Sequence, residues 1–512
     1  MLYPKNQSQQ LSDALFRAPT AEYRATPFWA WNGDLQRDEL LRQIEFFKKM
    51  GLGGFHMHVR SGMSTPYLSD EFMALIRACV DKAKQEEMLA WLYDEDRWPS
   101  GAAGGLVTKN KAYRTRRLLM TTHPFTAHDD GTLSRPFDDS IGCDWDPNRP
   151  QIGTLSTDDA GSRVESIDGW PFACYDVVLD DAGCLVSGRR IAPDADAEGT
   201  KWYAYEILPL PSAWYNNQTY LDTLNPDAVR KFIETTHDRY AAVVGDEFGK
   251  TVPAIFTDEP NHPALGTLRF PTDARLDVTL PWTDDLPETF RAAYGEELTD
   301  AIPELLWELP DGKVSTVRYH FHDHITERFT EAFSDQIGTW CDAHGIAMTG
   351  HVLSEPTLGS QTGAVGEAMR SYRGFELPGI DMLCSAKEYT TAKQAQSAAH
   401  QFGRAGVMSE LYGVTGWDFD FRGHKLNGDW QAALGVTVRV PHLSWYTMKG
   451  TAKRDYPASI HYQSTWGDQY GLVEDHFARV NTALTRGTPD VRVGVIHPIE
   501  SYWLHWGPAE QT

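Results

Sequence analysis

Cysteine is scarce. There are six in 512 residues, Cys79, Cys143, Cys174, Cys184, Cys341 and Cys384. No two form a CxxC pair, which argues against a structural zinc site. So few thiols in a long chain fit a reducing compartment better than a disulfide-stapled secreted fold. Basic residues are also short: 47 Lys and Arg stand against 71 Asp and Glu, for a net charge of -24. With no long Lys/Arg run, neither nucleic acid nor an anionic membrane is an expected partner. No apolar stretch reaches transmembrane length, and no apolar signal core follows Met1-Leu2-Tyr3-Pro4-Lys5. The cytoplasm is the expected location. A fixed-period repeat is also missing. Aromatic residues are abundant, with 17 Trp and 21 Tyr. Flat aromatic faces fill a large core and can also stack on a sugar ring in a ligand cleft. At 41% hydrophobic residues spread along its length, the chain has material for a large core and more than one small domain.

The front of the chain alternates short apolar runs with amphipathic stretches. Pro27–Trp31, Gly54–Arg60 and Leu89–Tyr93 read as buried strands. Between them, Leu40, Leu41, Ile44, Phe47 and Met50, then Phe72, Leu75, Ile76, Cys79, Val80 and Ala83, recur at helical spacing. The pattern predicts a parallel sheet with helical crossovers. It breaks from about Lys111 to Leu210, where Asp/Gly turns separate extended runs such as Ala173–Leu179 and Tyr203–Leu208, as in a β-rich insertion. It resumes with Asn225-Pro226 as a helix start and a strand at Pro253–Thr257. A long connection with some helical pieces (265–311) and a long helix near Val317–Ala343 follow. Further strands are expected at Ile346–His351, Ile380–Leu383, Gly406–Ser409 and His442–Tyr446. Eight strands with helices between them make an α/β chain of the (β/α)8 TIM-barrel type, with an open doubly wound sheet as the runner-up. The expected organisation is barrel over 1–110, a β-rich insertion over 111–210, barrel again over 211–490, and over 491–512 a C-terminal tail or a truncated further domain. Val491–Pro498 would be the first strand of that domain.

In such a barrel functional groups gather at the C-terminal strand ends. Three carboxylates fall there: Glu259 in Thr257-Asp258-Glu259-Pro260, Glu355 in His351-Val352-Leu353-Ser354-Glu355, and Glu410 in Ser409-Glu410-Leu411-Tyr412. Cleaving an acetal needs a protonated carboxyl for the leaving oxygen and a second carboxylate as nucleophile, or as base for a water. Glu259 and Glu410, on the fourth and seventh strands, are the leading pair, and Glu355 could replace either. Asp94, Glu95 and Trp98, in the dense polar-aromatic segment after the third strand, could hold sugar hydroxyls. Its acids could also bind Ca2+, although the catalytic argument requires no cofactor. His56 and His58 alternate onto one side of their strand, without a third ligand at zinc-site spacing. Arg60 lies just beyond, where it could anchor a substrate hydroxyl or pair with a catalytic Glu and lower its pKa. His351, Tyr412, Trp417, His442 and Trp445 complete the candidate substrate contacts. The Gly101-Ala102-Ala103-Gly104-Gly105 run lacks the Lys-Ser/Thr of a phosphate loop and reads as a tight turn.

Several blocks resemble the α-L-rhamnosidases of glycoside hydrolase family 106 and their relatives: Pro27-Phe28-Trp29-Ala30-Trp31-Asn32-Gly33, Gly54–Gly62, and above all Trp91–Gly105. Phe256–Pro260, Ser409–Gly413 and Lys453–Pro457 are similar too. The resemblance implies a β/α barrel with accessory β domains, release of terminal L-rhamnose by Glu acid and base residues, and calcium near the site. It matches Glu259 to the acid on strand four and leaves the base between Glu355 and Glu410. More remotely, clan A glycosidases such as the β-galactosidases place an acid/base on strand four and a nucleophile on strand seven, which Glu259 and Glu410 also fit. The long C-terminal β-sandwich regions of the rhamnosidases are missing. A non-catalytic carbohydrate-binding barrel and a metal-dependent hydrolase or lyase are the competing readings. The expected partner is a glycoside or oligosaccharide, and a homo-oligomer is compatible with the sequence.

Overall fold

The computed structural model describes residues 10–137, 153–266, 277–384, 386–450 and 459–506. Its centre is a parallel sheet of β1 (Phe28–Trp31), β2 (Gly54–Val59), β3 (Leu89–Tyr93), β4 (Ala254–Asp258), β5 (Ala347–His351), β6 (Leu377–Met382), β7 (Val407–Leu411), β8 (Val436–Pro441) and β9 (Ser444–Trp445). The strands pair in the order β8-β7-β6-β5-β4-β3-β2-β1-β9. β8 and β9 are two parts of one interrupted eighth strand. β8 pairs with β7, β9 pairs with β1 through Trp29↔Ser444 and Ala30↔Trp445, and the Thr26 N–H reaches Arg439 O at 3.0 Å. The sheet therefore closes on itself as a (β/α)8 barrel. The sixth strand starts earlier than its apolar run suggests, because Pro378-Gly379 lies inside it. A Cβ on Gly379 would sit 2.3 Å from Gly350 O, so a glycine is needed where β5 and β6 meet.

The helices follow the apolar spacing. Arg37–Lys49 buries Leu40, Ile44 and Phe47, and Asp70–Gln85 buries Phe72, Leu75, Ile76, Cys79, Val80 and Ala83. Each large side chain removed from water contributes about 1.5–3 kcal/mol. Asn225 caps Pro226–Thr235 by accepting from the N–H groups of Asp227 and Ala228. The long helix after the connection runs from Thr316 to His344 through one wide turn at Thr330–Asp335. Strand alternation separates two apolar layers. Phe28, Trp91, Phe256, Met408, Val440 and Leu443 fill the barrel interior, while Trp29, Trp31, Phe55, Met57, Leu92 and Ile255 face the helices.

From Arg116 to Leu208 the chain forms antiparallel strands, among them Arg116–Thr121, Arg163–Leu179 and Thr200–Leu208, in an eight-stranded sheet. Its outer strand, Asp277–Trp282, comes from the connection after β4 and pairs with Arg116–Thr121. That strand is not evident in the sequence, where Pro281 interrupts a short run. Val491–Pro498 is a correction: among the described residues it joins no sheet, and Val493, Val495 and Ile496 are largely exposed. Alternating apolar residues make a strand only where an edge accepts their backbone hydrogen bonds. No helix of the described residues is long and apolar enough to cross a membrane.

Candidate active site

Alternation along each strand decides which side chains enter the barrel mouth. The last inward positions fall on His58 in β2, Tyr93 in β3, Asp258 in β4, His351 in β5, Asp381 in β6 and Glu410 in β7. Register places Asp258 beside His351 and Asp381 beside Glu410. A chain of contacts links them. Tyr93 OH donates to Asp258 Oδ2 at 2.5 Å, and Asp258 Oδ1 lies 3.5 Å from His351 Nε2. The same His351 nitrogen is 3.0 Å from Glu410 Oε2, and His442 Nε2 is 3.9 Å from Glu410 Oε1.

The electrostatics divide these groups. Burial alone would push the Glu410 carboxyl up, but the His351 hydrogen bond and the charges of His442, His351 and Arg60 outweigh it and hold Glu410 below the usual carboxylate range. His351 responds reciprocally. Burial disfavours its charge, yet the Glu410 hydrogen bond and the Asp258 and Glu410 charges raise it well above an ordinary histidine. The two form a buried imidazolium–carboxylate pair. Glu259 is pushed the other way, to about 8, first by burial and then by the Asp258 charge, with Glu410 and Glu355 adding to the repulsion. Strand parity would turn Glu259 away from the cluster, but its backbone is left-handed (φ 47°), and the chain bends there. Burial likewise raises Glu355 to about 7, Asp258 to about 6 and Asp381 well above an ordinary aspartate. Glu355 Oε1 and Asp381 Oδ1 are buried without hydrogen-bond partners. The site thus sets a carboxylate held ionised against carboxyls whose hold on a proton is raised to different degrees, Glu259 the most among those given a value, the division that acid–base chemistry uses.

Arg60 and Trp98 line the same mouth: the guanidinium lies 4.5 Å over the Trp98 ring and 3.2 Å from His58 Nε2. Other candidates do not join the cluster. His56 is one layer deeper, packed on Phe28, Trp91 and Phe256, with its Nδ1 donating to Thr26 O. Trp445 is fully buried in the interior core. Tyr412 donates to His424 O and packs under the helix Phe421–Ala433, and Trp417 is half exposed on the preceding loop. Asp94 points behind the barrel wall, where Ser100 donates to its Oδ1 at 2.5 Å and His237 of the helix layer lies 3.9 Å from Oδ2. Both oxygens of Glu95 are taken up within the loop. Asp96 and Gly104 N–H donate to Oε1, and Gly101 and Ala103 N–H to Oε2. The Gly-rich turn is therefore a nest wrapped around an internal carboxylate. A Cβ at Gly105 would lie 2.4 Å from Tyr215 O.

Calcium fits neither place. Asp96 already binds Arg97 and Asn216, and Glu95 has no free oxygen. Among the described residues, one group of side chains brings potential metal-ligand atoms together, all within 4.8 Å: Asp258, His351 and Glu410. It includes an imidazole nitrogen, whereas calcium selects oxygen. Lys453–Pro457 lies outside the described residues. The sequence reading missed Asp258 and Asp381 as members of the cluster. The signal for Asp381 was a lone acid in the apolar run Ile380-Asp381-Met382, and for Asp258 its place directly before Glu259.

No family model and no curated protein matches the chain. Among solved structures it is similar to a rhamnosidase from Novosphingobium sp. PP1Y, with a TM-score of 0.60 at 13% identity over 93% of this chain and 60% of that one. The chain therefore spans about 60% of the length of that rhamnosidase. An endo-β-1,4-mannanase from Thermotoga petrophila aligns at a TM-score of 0.40 and 9% identity, over 92% of this chain and 78% of that one. The catalytic domain of a β-amylase from Paenibacillus polymyxa aligns at 0.36 and 10%, over 82% and 93%. The first likeness is one of fold, and the other two are too loose to add to it.

Proposed function

We propose that this protein is a glycoside hydrolase in which Glu259 protonates the leaving oxygen and Glu410 acts as nucleophile or as base for a water. One observation carries the reading. Two glutamates at the mouth of one barrel have opposite proton affinities: Glu410 is held ionised by His351, and burial keeps Glu259 neutral up to about pH 8. Glu355, itself raised to about 7, is the weaker candidate for the base. Arg60 and His442 keep Glu410 charged, and Trp98 offers an aromatic face to the sugar. Whether the two carboxyls stand about 5 Å apart or about 6.5–9.5 Å apart with substrate bound would make the enzyme retaining or inverting.

The first substrate to try is a terminal α-L-rhamnoside. The resemblance of the Trp91–Gly105 block supports that choice, and β-galactosides come next. The test is release of p-nitrophenol from a panel of aryl glycosides, with Glu259→Gln and Glu410→Gln as controls. Turnover of one sugar, lost in both variants, supports the assignment. Saturable sugar binding without turnover would make the protein a carbohydrate-binding barrel. The Asp258–His351–Glu410 grouping favours a second reading, a metal-assisted hydrolase, since two carboxylates and an imidazole suit a transition metal. Stoichiometric metal in the purified protein and loss of turnover on chelation would select it.

A further inference from the structure

Between the barrel and the antiparallel sheet lies a cavity of about 260 Å3, walled by Pro99 from the loop after β3, Asn261 and Pro263 from the loop after β4, and Thr115, Arg117 and Tyr215 from the sheet side. It is tied to the backbone that carries Glu259. Asn261 Nδ2 donates to Glu259 O at 2.9 Å, and Asn261 N–H donates to the Tyr220 hydroxyl, another wall residue, at 3.4 Å.

The unsatisfied polar groups of this cavity are donors. Arg117 Nε and Thr115 Oγ1 are buried and have no hydrogen-bond partner. Among the described residues no carboxylate faces Arg117; burial disfavours its charge, and only the Tyr215 phenol acts in the other direction. Arg117 differs from its buried neighbour Arg114, which donates to Thr108 O and Gln218 Oε1. The buried Arg116, Arg135, Arg318 and Arg439 each meet an acid, in a chain with net charge -24. A guanidinium cannot shed its proton, so a partly buried one whose Nε is enclosed and unpaired, as at Arg117, is costly unless a ligand supplies the counter-charge. Its planar fork suits a carboxylate or sulfate.

We propose that this cavity is an anion subsite in which Arg117 and Thr115 hold a carboxylate or sulfate group on the sugar at the leaving side of the scissile bond. The placement on the leaving side rests on the reading of Glu259 as the acid; the affinity for an anionic sugar does not.

Calorimetric titration of the whole protein with D-galactose, D-galacturonate, galactose 6-sulfate and inorganic sulfate tests it without turnover. One of the two anionic sugars is expected to bind at least tenfold more tightly than galactose, and which one does so identifies the group. Arg117→Met should abolish the difference, Arg117→Lys should keep part of it, and the near-isosteric Thr115→Val should reduce it several-fold. Equal binding of all three sugars, or a preference that survives both Arg117→Met and Thr115→Val, would overturn the proposal. Inorganic sulfate binding as tightly as the sugar acids would overturn the assignment to a sugar. A failed hydrolysis assay would overturn the proposed reaction and leave these binding results standing.

Discussion

Two Asp-Glu pairs end neighbouring strands of the barrel: Asp94-Glu95 after β3 and Asp258-Glu259 at β4. Asp94, Glu95 and Asp258 are buried and Glu259 is partly so, yet the two pairs face different surroundings. In β3 the last inward residue is Tyr93, so Asp94 passes behind the wall to Ser100 and His237. Glu95 is then enclosed by four backbone N–H groups. In β4 the last inward residue is Asp258, and the left-handed backbone at Glu259 bends the next acid toward the charges of Glu410 and Glu355. A shift of one residue in strand phase thus decides whether the same dipeptide braces a loop or enters the mouth.

The largest effect should separate the two pairs. Glu259→Gln or Glu410→Gln is expected to lower kcat by about 10³-fold, since a positioned acid or base contributes roughly 10²–10⁴. Asp94→Asn should leave kcat within about twofold, because it does not touch the mouth. Initial rates on the responsive aryl glycoside, with melting curves to confirm folding, check both. A collapse of turnover in a well-folded Asp94→Asn protein would break the comparison.

Much of the fold was readable because alternation and helical spacing are local. The strand cores of β1 to β5 and β7 and the buried faces of the first helices stand where the apolar periodicity puts them. The strand at Asp277–Trp282 was not readable, because it is defined by its partner Arg116–Thr121, far away in the chain. In the candidate site, Glu259, Glu410, His351 and Arg60 stand at strand ends that the apolar runs mark, whereas His442, expected to open the eighth strand, instead follows Val436–Pro441. The separation of Asp94 from Asp258 could not. It depends on where each strand stops and how its loop turns, which a single sequence does not fix to one residue. The Gly-rich turn shows the same limit: its glycines were visible, but the carboxylate it encloses was not.

Next in size is Glu95→Gln. The amide would aim an NH2 at two of the four N–H groups that now converge on a carboxylate. Burial raises Glu95 to about 7 against the pull of those N–H groups, so losing the bonds costs about 1–3 kcal/mol. Denaturant titration should show that loss, and activity should fall because the loop carrying Trp98 loosens. Unchanged stability would mean that the nest does not hold the loop.

The pH profile sharpens the other side of the comparison. As the proposed acid, Glu259 must be protonated, and it is raised to about 8, so the rate should fall as pH rises through about 8. As the proposed nucleophile or base, Glu410 must be ionised, and it is held low, so the rate should fall only at pH values below the usual carboxylate range. Both limbs belong to the coupled cluster. His351→Asn removes the hydrogen bond and positive charge that keep Glu410 ionised. The acid limb should therefore move upward in pH, with little change in KM. An acid limb that stays in place would show that His351 does not set it.

The smallest effect concerns stability. Burial raises Asp94 in the folded state well above the ordinary aspartate value of 3.8, which it regains on unfolding. A raised folded value means that the neutral form is favoured by the fold. The stabilisation is full below about pH 3.8 and is lost as pH climbs toward the folded value. Asp94→Asn keeps an acceptor for Ser100 and has no charge to desolvate. Its melting temperature should match wild type near pH 4 and exceed it by about 1 °C at pH 7, the shift expected for roughly 1 kcal/mol in a chain of this length. Calorimetric scans at pH 4, 5.5 and 7 measure the gap. A gap that does not change with pH would mean that Asp94 is charged in the folded protein, and that a cation or ordered water beside His237 compensates it.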